Sequence, residues 1–372
     1  MDLYIDRTDL SKALAKIQDI VERRTTNPVL AHVLLHARDG KLTLTATDTE
    51  IASIVEVPAN IDKSGELTVD ASKLFQISRA LPQPTVRISA SANNRLTITS
   101  GSSSFKLPGS LASDYPALPA FDAKDTISIA EKELRRLVAQ TSFAVAGDDS
   151  RYGLNGVYIE SREHEGGHRV RFVGTDGHRL AAAETSTKSA VILSENKLLP
   201  RKALNVMKKL LERSDAVVEF SFGDGAMRVV KPGQVLWFRL IDGRFPNYEK
   251  VMPQVDAGHK ITIDIKSLAD SLKRVSILIQ ERTKAVAFSF DGDSLNINAN
   301  NIDHGEISDN IQIEMVGDPI KSGFNTRYLS EVLSAVEGET VKLSLANPLA
   351  PCLIEVDGRD DAFFIVMPMR LD

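Results

Sequence analysis

The sequence is short of cysteine, of aromatic residues and of long apolar runs. It has 372 residues, of which one is cysteine, Cys352, and one is tryptophan. A single cysteine cannot form a disulfide within the chain, which fits a reducing compartment. No apolar run reaches the ~18 residues of a membrane helix, and residues 1–6 (MDLYID) lack the basic start and apolar core of a secretory signal. We therefore expect a cytoplasmic protein with no membrane partner.

Motifs for nucleotide or metal chemistry are lacking as well. Residues 101–106 (GSSSFK) have neither the second glycine of a phosphate-binding loop nor a hydroxyl after the lysine. His164 and His168 are four residues apart, but the glycines between them indicate a turn, and two histidines without further ligands hold a metal weakly. We expect no bound metal, no cofactor and no nucleotide hydrolysis.

The charge balance limits the kind of partner. The formal net charge is -5, with 26% charged and 42% apolar residues, as in a globular protein. This acidic surplus argues against a chain that covers its whole surface with nucleic acid, and it leaves room for one basic face. The length suggests two or three domains.

A faint threefold repeat organises the chain. Each third begins with a short alternating strand and an amphipathic helix whose apolar residues recur at spacings of three and four. These apolar positions are Leu10, Ala13, Leu14, Ile17 and Val21, then Leu134, Leu137 and Val138, then Leu268, Leu272 and Val275. After each helix we predict two strands joined by a turn, the second ending in a small polar cluster.

A second helix is predicted in every third, at residues 72–81, 201–213 and 326–336, with Asp70 and Asn325 as N-cap candidates. Each of these helices leads into further strands, and proline-bearing stretches that resemble each other mark the boundaries. The pattern predicts an α+β fold of three similar domains, 1–122, 123–253 and 254–372. The alternative is chance similarity among ordinary α+β segments, against which the matched order of the elements argues.

Basic side chains recur on the polar faces of five of the six predicted helices, or directly after them. For a single lysine or arginine, an ordinary solvated helix face explains the position, so only the recurrence is informative. Phosphate attraction is independent of sequence, so such faces favour holding DNA without reading bases. The basic residues are Lys12, Lys16, Arg23, Arg24, Lys73, Arg79, Lys132, Arg135, Arg136, Arg201, Lys202, Lys208, Lys209, Arg213, Lys266, Lys273 and Arg274.

The polar segment 175–180 (TDGHRL) has two interpretations. Asp176 and His178 could belong to a catalytic set, which would make the protein a hydrolase, but no nucleophile with a supporting motif accompanies them. The other interpretation is a turn, because an Asp-Gly pair supplies turn geometry.

Three segments together resemble a known family. Residues 175–180 (TDGHRL), 242–248 (DGRFPNY) and 366–371 (VMPMRL) are similar to signatures of the bacterial sliding clamp, the beta subunit of DNA polymerase III, and the resemblance runs end to end. It implies three DNA-clamp domains, each with two helices packed on two antiparallel sheets, in a ring formed by a head-to-tail dimer. It also implies a non-enzymatic processivity factor on duplex DNA, located at the nucleoid.

The resemblance implies several protein partners that insert a short peptide into a pocket between the second and third domains. These are the DNA polymerase III catalytic subunit, the clamp loader, other DNA polymerases, and repair and ligation proteins. Adaptable methionine and small apolar side chains suit such a site. The matching positions are Leu154, Thr175, Gly177, His178, Arg179, Leu180, Pro246, Val251, Ile365, Val366, Met367, Pro368 and Met369.

For DNA, the resemblance carries over to Arg24, Lys73 and the loop 148–153, and the helical faces add Lys202 and Lys208. The loop departs from the family, since Gly153 stands where relatives have an aromatic residue and Asp148 is acidic. Tyr152 is therefore the best DNA contact left in it.

At the contact that closes the ring, the resemblance implies Phe105 from the first domain and Ile277 and Leu278 from the third. Residues 102–104 (SSS) lack the basic side chains of some relatives, so we predict a dimer held less by charge. Glu249 and Lys250 replace a frequent basic pair, which can alter peptide preference. A monomeric peptide-binding scaffold is the remaining alternative.

Overall fold

The computed structural model describes residues 1–22, 26–91, 93–147, 152–187, 193, 197–253, 258–279, 285–301 and 304–371. Within this part of the chain there are six α-helices, whose bounds are α1 Arg7–Ile17, α2 Ala71–Ala80, α3 Glu131–Thr141, α4 Arg201–Leu210, α5 Ile265–Val275 and α6 Thr326–Ala335.

The strands of the first third are β1 Asp2–Asp6, β2 His32–Arg38, β3 Lys41–Thr47, β4 Ile51–Pro58, β5 Asn60–Lys63, β6 Gly65–Asp70, β7 Thr85–Ala90, β8 Arg95–Ser100 and β9 Ser103–Ser110. Those of the second third are β10 Asp125–Ala130, β11 Gly156–His164, β12 Gly167–Thr175, β13 Arg179–Thr187, β14 Lys197–Pro200, β15 Val217–Gly223, β16 Ala226–Lys231 and β17 Gln234–Arg239. The last third has β18 His259–Asp264, β19 Ala285–Asp291, β20 Ser294–Asn301, β21 Gly305–Gln312, β22 Glu314–Val316, β23 Ile320–Asn325, β24 Thr340–Leu345, β25 Cys352–Val356 and β26 Ala362–Val366.

The predicted threefold order of elements is confirmed. Each third has one strand, a helix, a run of strands, a second helix and three final strands. The prediction of two strands after the first helix was wrong, because the described residues form four or five there. The short, polar β5 shows the reason, since it has no apolar alternation for a pattern to detect.

The helices begin where the sequence places their caps. The Asp70 carboxylate accepts a hydrogen bond from the Lys73 amide at 2.7 Å, and the Asn325 side chain accepts one from the Arg327 amide at 3.0 Å. Such caps satisfy amides that have no partner within the helix. α1 ends at Ile17, four residues before the predicted apolar stripe does, and Val21 is nevertheless buried.

Two compact units make up the chain. The first contains residues 1–132 and 205–240, and its strands form one sheet in the order β10-β15-β16-β17-β4-β3-β2-β6-β9-β8-β7-β1-β5. This sheet joins strands of two different thirds through the antiparallel ladder between β17 and β4.

The second unit contains residues 133–204 and 241–372. One of its sheets has the order β14-β11-β12-β13-β26-β25-β24-β18-β22, and the other has the order β21-β20-β19-β23. Here the ladder between β13 and β26 joins the second and last thirds, so that the end of the chain lies beside the start of β13. That arrangement positions the candidate site.

Candidate functional site

The turn between β12 and β13 carries the polar segment that the sequence singled out. Gly177 has a φ of +86°, a backbone conformation that favours glycine. The Thr175 hydroxyl accepts from the Gly177 amide at 3.1 Å and donates to the Arg179 carbonyl at 2.6 Å. The Asp176 carboxylate accepts from the amides of His178 and Arg179 at 2.9 and 3.0 Å. These hydrogen bonds define a tight turn, as the second interpretation of the motif predicted.

Arg179 is charged and yet only 7% exposed. Its guanidinium donates to Asp176 Oδ2 at 3.1 Å, to the Phe143 carbonyl at 2.5 Å and to the carboxylate of Glu331. The Tyr328 ring centroid lies 4.4 Å from its central carbon, a cation–π distance. Arg179 therefore fixes the base of the turn to α6 instead of reaching into solvent.

The last strand runs along β13 and delivers the chain's final segment to this turn. Leu180 pairs with Ile365 and Arg179 with Val366 in an antiparallel ladder. Beyond the ladder, the Met367 amide donates to the His178 carbonyl at 2.9 Å. The turn and the segment 366–369 thus form one surface.

Beneath that surface lies an apolar cluster whose buried members include Leu180, Tyr248 and Ile365. Val251 and Met367 stay 47% and 38% exposed. A buried apolar floor with exposed apolar side chains beside it suits an amphipathic peptide.

The structure brings the matching positions together but gives them different roles. His178, Gly177, Pro246, Val251 and Met367 are exposed, and Leu154, Pro368 and Met369 are half-buried. The remaining members are buried and form the support, namely Thr175, Arg179, Leu180, Ile365 and Val366.

Sequence reasoning missed Phe143, Tyr328 and Glu331, which surround Arg179. Burial acts to raise the pKa of Glu331, but hydrogen bonds from Arg327 and Arg179 outweigh it, so the pKa lies below its usual value. The charged form of Glu331 is therefore the one that faces Arg179. The only signal in the sequence was Glu331 itself, an acidic residue on α6, which is the one predicted helix without a basic face.

A second omission is Leu349, which is 59% exposed. Its loop is fastened by the Ser322 hydroxyl, which donates to the Pro348 carbonyl at 2.8 Å. The carbonyl of Gly323, the residue after Ser322, accepts a hydrogen bond from the Met369 amide at 2.8 Å. The loop that carries Leu349 therefore extends the apolar surface around the chain's end.

The predicted DNA contacts are only partly described. Lys73, Lys202 and Lys208 are exposed on helices α2 and α4. Arg24 and the side chain of Tyr152 lie outside the described residues, as do residues 148–151. A Cβ at Gly153 would lie 2.5 Å from the Arg244 carbonyl oxygen, so an aromatic residue cannot stand there without a backbone shift.

One helical cation does not fit the predicted basic faces. Arg136 donates to Glu133, to Gln140 and to the Glu184 carbonyl, and it pairs with Asp361 at 3.0 Å. Its side chain is 13% exposed, so the inclusion of Arg136 among phosphate-facing residues was wrong.

Of the residues predicted for the dimer contact, Phe105 and Ile277 are exposed, and Phe105 lies on a strand that has one side without a strand neighbour among the described residues. β9 pairs with β8 over residues 103–108, but with β6 only through Gly109 and Ser110. Phe105 on that free edge is 36% exposed, and Ile277, just after α5, is 78% exposed, whereas Leu278 is half-buried.

Comparisons with known proteins agree with this geometry. Family models of the DNA polymerase III beta subunit match residues 1–119 (N-terminal domain), 128–247 (central domain) and 249–370 (C-terminal domain). The beta sliding clamp of Caulobacter vibrioides is 33% identical over 374 residues, and that of Pseudomonas putida is 34% identical over 379, each with 100% of both chains covered. The chain belongs to the DNA polymerase III beta subunit family.

Solved structures of the family have the same fold. A crystal structure of the C. crescentus beta sliding clamp superposes with a TM-score of 0.94 at 32% identity, and one from Pseudomonas aeruginosa bound to griselimycin with 0.93 at 33%, each covering 100% of both chains. The fold is therefore the three-domain clamp fold, and the chain acts as a processivity factor of DNA polymerase III.

The hydrolase alternative is wrong, because the family is a non-catalytic subunit. The turn gives Asp176 a structural role instead.

His164 and His168 cannot share a metal ion. Glu163 pairs with His168 across the hairpin, so the side chain of His164 lies on the opposite face of the sheet from that of His168. No helix in the described part of the chain is long and apolar enough to span a membrane.

Proposed function

We propose that two copies of the chain form a head-to-tail ring around duplex DNA and tether partner proteins through the surface at the β12–β13 turn. The partners are the DNA polymerase III catalytic subunit, the clamp loader, other DNA polymerases, and repair and ligation proteins. The ring acts in the cytoplasm, at the nucleoid. A topological link keeps an enzyme beside its template between steps, which raises its effective concentration there.

The observation that carries this proposal is where the exposed apolar side chains lie. Phe105 and Ile277 are exposed at the proposed dimer contact, and Val251 and Met367 at the proposed peptide pocket. Large apolar side chains in such positions commonly mark surfaces that another protein covers.

A second copy suits the free edge of β9. Among the described residues, β9 has a strand neighbour on one side only over residues 103–108, and so does β21 in the last third. Pairing one copy's β9 with the partner copy's β21 would satisfy both edges. We assign Phe105, Ile277 and Leu278 to this contact.

The peptide pocket is proposed between the second and third domains, with boundaries at 122/123 and 253/254. Its occupant is a short linear peptide with apolar anchors, which would rest on the buried floor of Leu180 and Ile365. Because relatives from P. aeruginosa and Bartonella birtlesii were crystallised bound to griselimycin, that compound is a useful competitor for this surface.

For DNA we propose contacts from Arg24, Lys73, Tyr152, Lys202 and Lys208. They would attract backbone phosphates and read no bases.

The deciding experiment is retention on nicked circular DNA after loading, at salt high enough to suppress simple phosphate binding. The ring predicts retention on the circle and loss after the circle is cut. Equal loss from both forms would overturn the ring and leave a monomeric peptide-binding scaffold or a weak DNA binder. Phe105→Ala with Ile277→Ala should abolish the dimer in sedimentation, whereas Leu349→Ala, at another exposed apolar residue away from the proposed contact, should not.

The dimer's salt dependence tests the composition of its contact. Residues 102–104 carry no charge, so we expect dimer dissociation to change little with added salt. Strong weakening by salt, measured by sedimentation at several ionic strengths, would show that charges elsewhere dominate.

A further inference from the structure

The segment that borders the proposed peptide pocket has little regular structure of its own. Between the end of β17 and the start of β18, the described residues form one short element, the 3-10 helix Tyr248–Val251. We call it the rim turn, because its last residue, Val251, is 47% exposed beside the pocket. The rim turn belongs to no strand ladder, so its position depends mainly on the contacts of its side chains.

Tyr248, the first residue of the rim turn, makes the main contact of this kind. Its ring is buried in the apolar cluster that forms the floor of the pocket. Its hydroxyl donates to the Glu160 carboxylate at 2.5 Å and accepts from the guanidinium groups of Arg162 and Arg171 at 3.3 Å each. The phenol therefore uses both its hydrogen and its oxygen, and it joins the pocket floor to a group of charged side chains.

The charged side chains are themselves held by three neighbouring strands. Glu160 of β11 lies opposite Arg171 of β12 in the antiparallel ladder. The Glu184 carboxylate on β13 is 7% exposed and accepts from Arg171 Nε at 2.5 Å and from Arg169 Nη1 at 2.7 Å. A hydrogen-bonded network of this kind, built on strands, fixes the positions of its members before a ligand arrives.

Arg162 of β11 connects the same strands to the rim turn a second time. Its Nη1 donates to the Tyr248 hydroxyl, and its Nη2 lies 3.1 Å from Glu249 Oε1. The Glu249 side chain is 59% exposed, so this ion pair contributes little by itself. The buried phenol is therefore the stronger of the two connections.

We propose that Tyr248 and Glu160 are positioning residues for the peptide pocket. Their hydrogen bond holds the rim turn where Val251 can contact an apolar anchor of the peptide, and neither side chain has to touch the peptide itself. A rim that is fixed before binding lowers the entropic cost of seating the ligand. The proposal rests on the proposed peptide pocket, and it adds to that pocket a determinant of affinity that lies behind its surface.

The test measures the affinity of the full-length protein for griselimycin and for a polymerase-derived peptide by calorimetry. Tyr248→Phe keeps the ring in the pocket floor and removes only the hydroxyl, so both affinities should fall about threefold. The matched control is Tyr115→Phe, because the Tyr115 hydroxyl bonds only to backbone groups of the first third, the Thr47 amide and the His32 carbonyl. It should destabilise the fold by a similar amount and leave both affinities unchanged.

Variants of Glu160 test the other end of the hydrogen bond. Glu160→Ala removes the acceptor and should lower both affinities about threefold, as Tyr248→Phe does. Glu160→Gln keeps an oxygen that can accept from the phenol and should retain most of the affinity. Thermal unfolding checks that each variant is folded. Wild-type affinity in folded Tyr248→Phe and Glu160→Ala would overturn the positioning role.

Double substitutions test whether the effect passes through Val251. In a Val251→Ala background, Tyr248→Phe should cause little further loss, because the side chain that the rim turn presents is already gone. In a Met367→Ala background the two losses should multiply, since Met367 is fixed by its bond to the His178 carbonyl and not by the rim turn. Losses that multiply in both backgrounds would contradict the proposal, because Tyr248 would then act through the floor alone.

The wild-type protein separates this proposal from the proposed function. Binding of both ligands to the wild type, with unchanged affinities in the variants, would remove the positioning role and leave the pocket in place. Failure of the wild type to bind either ligand would remove the pocket, and the positioning role with it.

Discussion

The turn between β3 and β4 has the same hydrogen bonds as the turn between β12 and β13. The Thr47 hydroxyl donates to the Ile51 carbonyl at 2.8 Å and accepts from the Thr49 amide at 3.0 Å. The Asp48 carboxylate accepts from the amides of Glu50 and Ile51 at 2.9 and 2.7 Å. One backbone design therefore serves two different thirds of the chain.

The strand that follows also pairs in the same way. Phe238 of β17 lies opposite Ile51, and the Arg239 amide donates to the Glu50 carbonyl at 2.8 Å. This reproduces the register by which β26 and Met367 meet the second turn.

The two turns differ in their side chains. Ile51 is an apolar core residue with 1% exposure, whereas its counterpart Arg179 is a buried charge with carboxylate and aromatic partners. Met367 is apolar and its counterpart Arg239 is not, although both are exposed. In both places the same backbone pairing joins two thirds of the chain, and we call each place a joint. The side chains determine which of the two joints offers an apolar pocket.

The largest loss of stability should come from removing the buried charge of Arg179. Arg179→Met leaves Glu331 and Asp176 without their partner, and breaking a buried pair costs about 3 kcal/mol or more in the free energy of unfolding. Urea unfolding measures it. Adding Glu331→Gln should recover part of the loss, and Ile51→Val at the first turn should cost only about 1 kcal/mol. A cost for Arg179→Met below that of Ile51→Val would show that its contacts are not needed.

The sequence revealed the repeated helices and the polar turn because both are local. Leu10, Leu14 and Ile17 are spaced for one helix face, and the Asp-Gly pair indicates the second turn. The ladder between Ile51 and Phe238 is not local, since a long stretch of chain separates the two strands. No periodicity within either strand encodes its distant partner.

The next largest effect on the free energy of unfolding should come from Tyr115 and Tyr248, which lie near the ends of the first and second thirds. The Tyr115 hydroxyl accepts from the Thr47 amide at 3.1 Å and donates to the His32 carbonyl at 3.2 Å, both backbone groups. Tyr248 donates instead to the Glu160 carboxylate at 2.5 Å and accepts from Arg162 and Arg171 at 3.3 Å, so its partners are charged side chains. Tyr115→Phe should therefore cost about 2 kcal/mol, and Tyr248→Phe a similar amount, because both phenols are buried and hydrogen-bonded.

This cost should depend on pH. Burial raises the pKa of Tyr115 from 10.0 to about 12, so the folded state favours the neutral phenol. Its stabilisation is complete below pH 10.0 and is lost as the pH rises toward about 12. The gap in unfolding free energy between wild type and Tyr115→Phe should shrink over that range, with the single tryptophan, Trp237, as fluorescent reporter. A gap that widens would contradict the assignment.

A smaller change in stability is expected from the residue with positive φ in each of the two turns. Gly177 has φ +86° and Thr49 has φ +77°. Gly177→Ala should destabilise by about 1 kcal/mol, and Thr49→Gly should stabilise by up to about 1 kcal/mol, because a side chain is strained in this conformation. Shifts in the denaturant midpoint measure both. Equal signs for the two substitutions would mean that the turns are not conformationally equivalent.

The site was less predictable than the turns because its support comes from two segments that are distant in sequence from β13. Phe143 follows α3, Tyr328 and Glu331 lie on α6, and all three contact an arginine on β13. Sequence similarity supplied the residues that line the surface, whereas these supporting contacts are visible only once the strands are paired.

Substitution of Met367 should change stability the least and peptide binding the most. Met367 is 38% exposed, so Met367→Ala should alter the unfolding free energy by less than about 0.5 kcal/mol. If its side chain borders the peptide pocket, affinity for a polymerase-derived peptide should fall about tenfold, which corresponds to about 1.4 kcal/mol. Arg239→Ala changes the equivalent position of the first joint and should leave peptide affinity unchanged in calorimetry. Equal losses from both substitutions would mean that the first joint also binds peptide, and no loss from either would move the pocket away from the chain's end.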